Sequence, residues 1–356
     1  MHILKEIATP QGAVAYRQEQ AASPVEGGES WLTYGAYFAA LEAFVAGEGG
    51  QALARAAGEL GRAGGLEGAA AIILRAEKHG ALYHPASLTL RYPDGAVKLC
   101  VNVAATPVAV ACLEEEAGLL AGLRRRFTPE FLPRPYLLGR SGELAFLLEE
   151  WFDDYHEFHQ DGSGRVRLWD FDGGERLLPS AQALALYREA ARILTRYFDA
   201  ATGAAIGPWH HAAGDFVARV ADGTVSARLI TVRGHDAARN FTEAGPMAER
   251  LAALAFFTGM SMRLRLDRVD GVGELVLAGE DVAGAAVAGF AQGLGEREDI
   301  GDGGLGILDF LGSFSSEELA GAGAQLLEPC PPEEQAVLTA AWPRHAAALV
   351  EALARV

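Results

Sequence analysis

The sequence has few cysteines, and their arrangement excludes several classes of protein. Cys100, Cys112 and Cys330 are far apart, so the chain has neither a zinc ribbon nor a thioredoxin-type Cys-x-x-Cys pair. An odd, small number of cysteines is typical of free thiols in a reducing compartment. We therefore expect a cytoplasmic protein.

Basic residues and long apolar runs are also scarce. Lys and Arg number 30 against 47 Asp and Glu, which gives a formal net charge of −17. Nucleic acids and anionic membranes bind to basic faces, so we expect neither as a partner. No apolar stretch reaches the ~18 residues that a membrane-spanning helix requires, and the first residues lack the apolar segment of a signal peptide.

The chain nevertheless has enough apolar material for sizeable cores, since half of its 356 residues are hydrophobic. Residues 1–66 predict an N-terminal helical extension. Its first helix has aromatic and aliphatic residues at steps of three and four, and a second helix is expected at 51–62. The residues that mark the first helix are Trp31, Tyr34, Phe38, Leu41 and Val45.

Residues 67–150 predict a β-rich segment that holds one helix. Three strands are expected around 72–74, 87–92 and 97–103, and Asp94-Gly95 is a strong hairpin signal between the last two. A helix follows at about 109–126, and two more strands are expected around 136–139 and 144–150. The predicted order is strand, strand, strand, helix, strand, strand.

Residues 151–356 predict a larger, mainly helical segment. Residues 153–180 resemble a polar, glycine-bearing insertion, and a hairpin is expected within 216–232. Helices are expected from Ser180 and at about 246–260, 280–295, 316–327 and 333–355. The fold class is therefore α+β, with a small antiparallel sheet lobe and a larger helical lobe.

This element order resembles the protein-kinase-like fold, and most of all the aminoglycoside phosphotransferase and choline kinase group, over about residues 70–295. The resemblance implies that ATP and Mg²⁺ are cofactors. It implies that the strand after Asp94-Gly95 carries the lysine that binds the phosphates. Lys98 is the lysine on this strand, but Asn102 is closer to the family position, and both lie on the same face.

The same resemblance assigns roles to four carboxyl groups. Glu116 matches the helix glutamate that pairs with the lysine, although acidic residues are also favoured near a helix start. Glu149 and Glu150 lie in the strand that resembles the adenine-binding hinge. Asp215, after His211 and Gly214, matches the catalytic aspartate that accepts the substrate hydroxyl proton.

The metal ligands of the family are absent at the matching positions. The family has a metal-binding asparagine five residues after the catalytic aspartate, and Val220 stands there. It also has an aspartate after the hairpin, whereas residues 229–234 contain no carboxylate. Mg²⁺ requires oxygen ligands, so we expect no metal site and a catalytically impaired, pseudokinase-like protein that binds a nucleotide, a small metabolite or a partner.

Two other functions stay open. The protein could be an active small-molecule kinase whose metal ligands have moved to Asp222 or Asp236. It could instead be an interaction scaffold that dimerises through the N-terminal helices. In that case the aromatic residues of these helices would form the dimer interface; otherwise they pack on the strand lobe of the same chain. The aromatic residues concerned are Trp31, Tyr34, Tyr37 and Phe38.

Two histidine pairs have open roles as well. His156 and His159 lie beside acidic residues, and either bind a metal or belong to a solvated loop. His210 and His211 either bind a phosphate or are buried in the core.

Overall fold

The computed structural model of the chain describes residues 2–9, 12–29, 31–62, 64–80, 82–127, 131–170, 174–237, 239–300, 303–326 and 331–356. Contacts divide the chain into two compact units. The first comprises Met1–Arg124 and Pro133–Asp153, and the second comprises Arg125–Leu132 and Asp154–Val356. Among the described residues, no helix combines the length and the apolar character needed to cross a lipid bilayer.

The first unit is a sheet with three helices. In chain order its elements are β1 (His2–Thr9), β2 (Gly12–Ala15), α1 (Tyr34–Ala46), α2 (Glu48–Glu59), β3 (Ala71–Ala76), β4 (Ala86–Tyr92), β5 (Gly95–Ala104), α3 (Pro107–Arg126), β6 (Pro135–Ser141) and β7 (Leu144–Glu150). The strands β3 to β7 and the helix α3 confirm the order expected from the sequence.

The strands form one sheet in the order β2-β1-β3-β4-β5-β7-β6, in which only the β1–β3 pair is parallel. Tyr92 pairs with Gly95, so the β4–β5 hairpin has the two-residue loop Pro93-Asp94. Gly95 has a φ of 145°, which a residue with a side chain rarely adopts. The predicted hairpin is thus confirmed, with Gly95 as its first strand residue.

One face of this sheet carries the apolar core of the unit. Alternate residues of β4, β5 and β7, such as Leu88, Leu99 and Phe146, are fully buried there together with Phe38 and Leu41 of α1. Alternation follows from the two-residue period of a strand, so the other face is left for the polar residues of β5. The N-terminal helices therefore pack on the unit's own sheet.

The second unit contains a second sheet and most of the helices. Its elements are β8 (His156–Gln160), β9 (Val166–Asp170), β10 (Gly174–Leu177), α4 (Ser180–Arg196), β11 (Ala204–Ile206), β12 (Phe216–Ala221), β13 (Thr224–Leu229), β14 (His235–Ala237), α5 (Ala248–Arg263), β15 (Leu266–Arg268), β16 (Leu275–Leu277), α6 (Val282–Gly295), α7 (Gly303–Gly312), α8 (Ser316–Leu326) and α9 (Pro332–Leu353). The five-stranded sheet has the order β10-β9-β8-β12-β13.

Helices α4 and α6 pack closely because α6 presents glycines to α4. A Cβ on Gly289 would lie 2.2 Å from the carbonyl oxygen of Arg188, and a Cβ on Gly293 would lie 2.7 Å from Thr195. The predicted helices from Ser180 and at 280–295 are confirmed.

Three expectations from the sequence need correction. The N-terminal extension is not purely helical, because β1 and β2 precede α1 and extend the sheet. The polar segment 153–180 is not an insertion without structure, because it forms β8, β9 and β10. The helix α7 was not expected at all. Cys100 and Cys112 are free thiols, and Cys330 lies outside the described residues.

Candidate functional site

Asp215 directly precedes β12 and follows a tight turn. A 3-10 turn at His211–Ala213 leads to Gly214, whose φ of 69° is the left-handed conformation that glycine adopts readily. A Cβ on Gly214 would lie 3.1 Å from a carboxylate oxygen of Glu157, so the turn is also crowded. The backbone N–H of His210 donates to Oδ2 of Asp215 at 2.8 Å. The carboxylate is fully buried.

Arg233 forms a bidentate ion pair with Asp215. Its Nη1 lies 2.5 Å from Oδ2 and its Nη2 lies 2.6 Å from Oδ1. The guanidinium side chain is 29% exposed, whereas the carboxylate has no exposed area. Paired N–H donors match the two oxygens of a carboxylate, which makes this the strongest common form of ion pair. Both oxygens of Asp215 therefore already accept hydrogen bonds.

Of the positions considered for metal ligands, Val220 and Asp222 lie on the hairpin β12–β13, away from this ion pair. Val220 belongs to β12. Asp222 and Gly223 form the two-residue turn to β13 and both have positive φ. At about 3.4 Å per strand residue, Asp222 is roughly 24 Å from Asp215 along the extended strand. Asp236 is exposed on β14, where it pairs with Ala205.

His159 is not in a solvated loop, as the sequence suggested, but on the buried strand β8. Its side chain is 2% exposed, and its Nδ1 lies 3.5 Å from Oδ1 of buried Asp267, while Nε2 lies 3.8 Å from Glu157. Burial lowers the pKa of His159, but the two carboxylates outweigh burial and raise the pKa to about 9. The histidine is therefore a buried cation between two anions at neutral pH.

The two neighbouring histidines differ from His159 because they are neutral. Burial lowers the pKa of His211 to about 4, and it also lowers the pKa of His210. The ring of His211 contacts four aromatic side chains and is 2% exposed. These rings belong to Phe158, Tyr187, Trp209 and Phe216. His211 is thus a core residue and offers no charge to a phosphate.

The first unit holds a second buried carboxyl group on the polar face of its sheet. Glu149 is 4% exposed, and its Oε1 accepts a hydrogen bond of 2.7 Å from Nδ2 of Asn102 on β5. Burial and the nearby Glu116, which is also 4% exposed, raise the pKa of Glu149 well above its usual range. Glu149 is therefore stabilised as a neutral acid that is bonded to the amide of Asn102.

Lys98 and Glu150 have other contacts in the same unit. The Lys98 ammonium lies 3.7 Å from the centre of the Trp151 ring, which is a cation–π contact. Glu150 accepts a hydrogen bond from the backbone N–H of Arg134 at 3.3 Å, and its own N–H donates to the Arg134 carbonyl at 3.0 Å. The structure thus brings together Asn102, Glu149 and Glu116, and puts Lys98 on Trp151.

Two features of the site were missed from the sequence. In residues 229–234 the sequence indicated only a missing carboxylate. Arg233 in this segment nevertheless carries the guanidinium that forms the ion pair with Asp215. Asp267 carried no local signal, because it lies 108 positions after His159 in the chain. Within the described part of the chain, no group of three or more His, Cys, Asp or Glu residues is arranged to hold a metal ion.

The residues present do not fit the ATP and Mg²⁺ that the resemblance implied. The phosphates of ATP need a cation; of the two candidates, Asn102 is an amide bonded to Glu149, and Lys98 lies on the ring of Trp151. Mg²⁺ needs free carboxylate oxygens, and those of Asp215 face a guanidinium.

Comparisons with known proteins do not identify a family for this chain. No family model matches this chain, and no curated protein matches it. Among solved structures, the chain is similar to the pseudokinase domain of BIR2, an immune regulator of the RLK/Pelle family. The identity is 14%, the alignment covers 76% of this chain and 77% of that chain, and the TM-score is 0.28. A TM-score this low shows neither the fold nor the function of this chain.

Proposed function

We propose that this protein is a catalytically impaired, kinase-like binding protein of the aminoglycoside phosphotransferase type. Its role is to bind a nucleotide, a small metabolite or a protein partner, and not to transfer phosphate. The antiparallel strands β3 to β7 with α3 between the third and fourth of them support the kinase-like plan. The hairpin β12–β13 directly after Asp215 supports it as well.

The observation that carries the proposal is the ion pair between Asp215 and Arg233. A general base must reach the proton that it accepts, and the buried Asp215 oxygens already accept bonds from the guanidinium and from the His210 backbone. A metal ion on Asp215 would also be repelled by the guanidinium charge. Asp215 therefore acts as a structural anion.

The carboxyl group of Glu149 supports the same conclusion independently. In the kinase pattern, a glutamate is paired with the lysine that binds phosphate. The resemblance assigns that glutamate to Glu116, and Asn102, near the lysine position, is bonded instead to the hinge-strand Glu149, whose neutral form is favoured. A neutral amide contributes little attraction to a triphosphate.

The direct test is to measure ADP release from ATP and Mg²⁺ with an aminoglycoside or choline as acceptor, together with calorimetric titration of ATP. We expect no release above the spontaneous rate and no Mg²⁺-dependent increase in ATP affinity. Magnesium-dependent turnover that disappears in Asp215→Asn would contradict the proposal. Asp222→Asn, at the exposed tip of the hairpin, is the matched control and also tests a relocated ligand.

A further inference from the structure

The hairpin β12–β13 carries two arginines that contact the same tyrosine ring. Arg219 of β12 is directly opposite Ser226 of β13, and Arg228 is two residues further along β13. Side chains alternate along a strand, so all three lie on one face of the hairpin. The guanidinium carbon of Arg219 lies 5.1 Å from the centre of the Tyr155 ring, and that of Arg228 lies 5.0 Å from it. Both are cation–π contacts.

These two contacts bring like charges together. Since both guanidinium carbons lie near one ring centre, they are at most about 10 Å apart, which is within the Debye length at 0.1 M salt. Arg192 on α4 differs, because Glu189 and Glu296 form ion pairs with it. Arg219 is exposed and forms no ion pair within the part of the chain that the structure describes. Its positive charge is therefore available to a ligand.

A carboxylate on the same face of the sheet is already shared with another cation. Glu157 of β8 pairs with Val217 of β12, and Val217 pairs with Arg228 on its other side. Glu157 therefore lies in the same row as Arg228, but its carboxylate oxygen is 3.8 Å from Nε2 of the His159 cation. A carboxylate that is shared with His159 does not balance the charges of both arginines as well.

The cluster also has hydrogen-bond donors for an anion. A cation–π contact uses the charge of a guanidinium and needs none of its five N–H groups, which match the oxygens of a phosphate. Oγ of Ser226 lies 3.1 Å from the Tyr155 hydroxyl, and when Tyr155 donates in this contact, Ser226 keeps its own hydrogen to donate. Nη1 of Arg228 donates to the Ala227 carbonyl, so Arg228 contributes mainly its charge.

We propose that Arg219, together with the charge of Arg228 and the hydroxyl of Ser226, binds the phosphate group of a small phosphate ester. A phosphate monoester has nearly two negative charges and three acceptor oxygens, which suits two cations and a hydroxyl donor. The overall charge of −17 disfavours large polyanions such as nucleic acids. The arginines supply the positive charge, so the site needs no metal ion. It goes beyond the proposed function because Asp215 takes no part in it.

The test is calorimetric titration of the full chain with ribose 5-phosphate at low salt without Mg²⁺, and with ribose as the uncharged comparison. We expect submillimolar binding of the phosphate ester, which weakens as NaCl is added, and no binding of ribose. Arg219→Gln should weaken binding by more than about tenfold, because charge-assisted hydrogen bonds are lost. Arg176→Gln is the matched control. It removes an exposed arginine from β10, at the other edge of the same sheet, and should bind as the parent protein does.

Phenylglyoxal, which modifies exposed arginines, provides a second measurement on the unaltered protein. Saturating ribose 5-phosphate should slow the modification of Arg219 and leave that of Arg176 unchanged, with both followed by mass spectrometry of the digested protein. The proposal is wrong if ribose 5-phosphate binds no more tightly than ribose, or if its binding requires Mg²⁺. It is equally wrong if the two glutamine variants bind equally well, or if the phosphate ester does not protect Arg219.

Discussion

Two buried carboxyl groups, one in each unit, are stabilised in opposite ways. Asp215 in the second unit faces the guanidinium of Arg233 and is stabilised as an anion. Glu149 in the first unit faces the amide of Asn102 and a second carboxyl group, Glu116, and is stabilised as a neutral acid. The same functional group therefore has a charged partner in one unit and an uncharged partner in the other.

The difference bears directly on the proposed loss of catalysis. A kinase-like site would need a lysine beside its glutamate and a metal beside its aspartate. In this chain Glu149 has an amide beside it, and Asp215 has an arginine beside it. Each carboxyl group then has its partner within the protein, and neither is left to bind a substrate or a metal. Substitutions that exchange or remove these partners should therefore change stability differently at Asp215 and at Glu149.

The largest effect is expected from Arg233→Met. This change leaves the fully buried Asp215 carboxylate without its cation, and removing one partner of a buried ion pair costs about 3–5 kcal/mol. Urea unfolding at neutral pH measures the loss of stability. The double variant Asp215→Asn/Arg233→Met is the control. It should be more stable than Arg233→Met alone, and a less stable double variant would show that the two residues do not form a pair.

The second-largest expected effect is a dependence of the unfolding free energy on pH, which originates at His159. Its folded pKa of about 9 lies above the ordinary value of 6.5. The ion pairs with Asp267 and Glu157 thus stabilise the fold fully below pH 6.5, and this stability is lost as the pH rises through 9. The loss amounts to about 3 kcal/mol.

Unfolding free energies at about pH 6 and about pH 9.5 measure this dependence. His159→Gln should remove most of it, because glutamine has no charge to lose. If the parent protein and the variant lose stability in parallel, the dependence arises elsewhere.

A smaller effect is expected in the first unit from Asn102→Leu. The substitution removes the donor to Glu149 and leaves a buried carboxyl oxygen without that bond, at a cost of about 1–3 kcal/mol. Asn102→Lys keeps a donor at the position and should cost less. Equal unfolding free energies for the parent and Asn102→Leu would contradict the role of the amide.

The smallest effect is expected from Lys98→Gln. The ammonium contacts the face of Trp151 in a partly exposed position, and such a contact is worth about 0.5–1 kcal/mol. Thermal unfolding should therefore shift by a few degrees at most. A loss as large as that of Arg233→Met would mean that Lys98 has a buried partner of greater importance.

The sequence predicted the elements whose patterns are local. The strands β3 to β5 alternate, the β4–β5 hairpin has a turn signal, and α4 has apolar residues at helical spacing. For each of these, neighbouring residues determine the structure.

The elements that were missed depend on distant partners. The strand β8 has one apolar residue in five, and its buried residues contact a segment more than 100 positions later. Gln160 donates to Asp267 and to the Arg265 carbonyl, and Nδ1 of His159 lies 3.5 Å from Asp267. The Arg233 ion pair also depends on a residue that is not a neighbour in the sequence. Arginine after a hairpin is usually exposed, and only the turn that buries Asp215 gives it a partner.

The most direct test of the account exchanges each carboxyl group for its amide and compares the two unfolding free energies at pH 7. Asp215→Asn should lose about 2–3 kcal/mol, because a charge-assisted bidentate pair is broken. Glu149→Gln should be as stable as the parent or more stable, because the amide resembles the neutral acid and carries no charge. A stable Asp215→Asn together with a strongly destabilised Glu149→Gln would contradict the account.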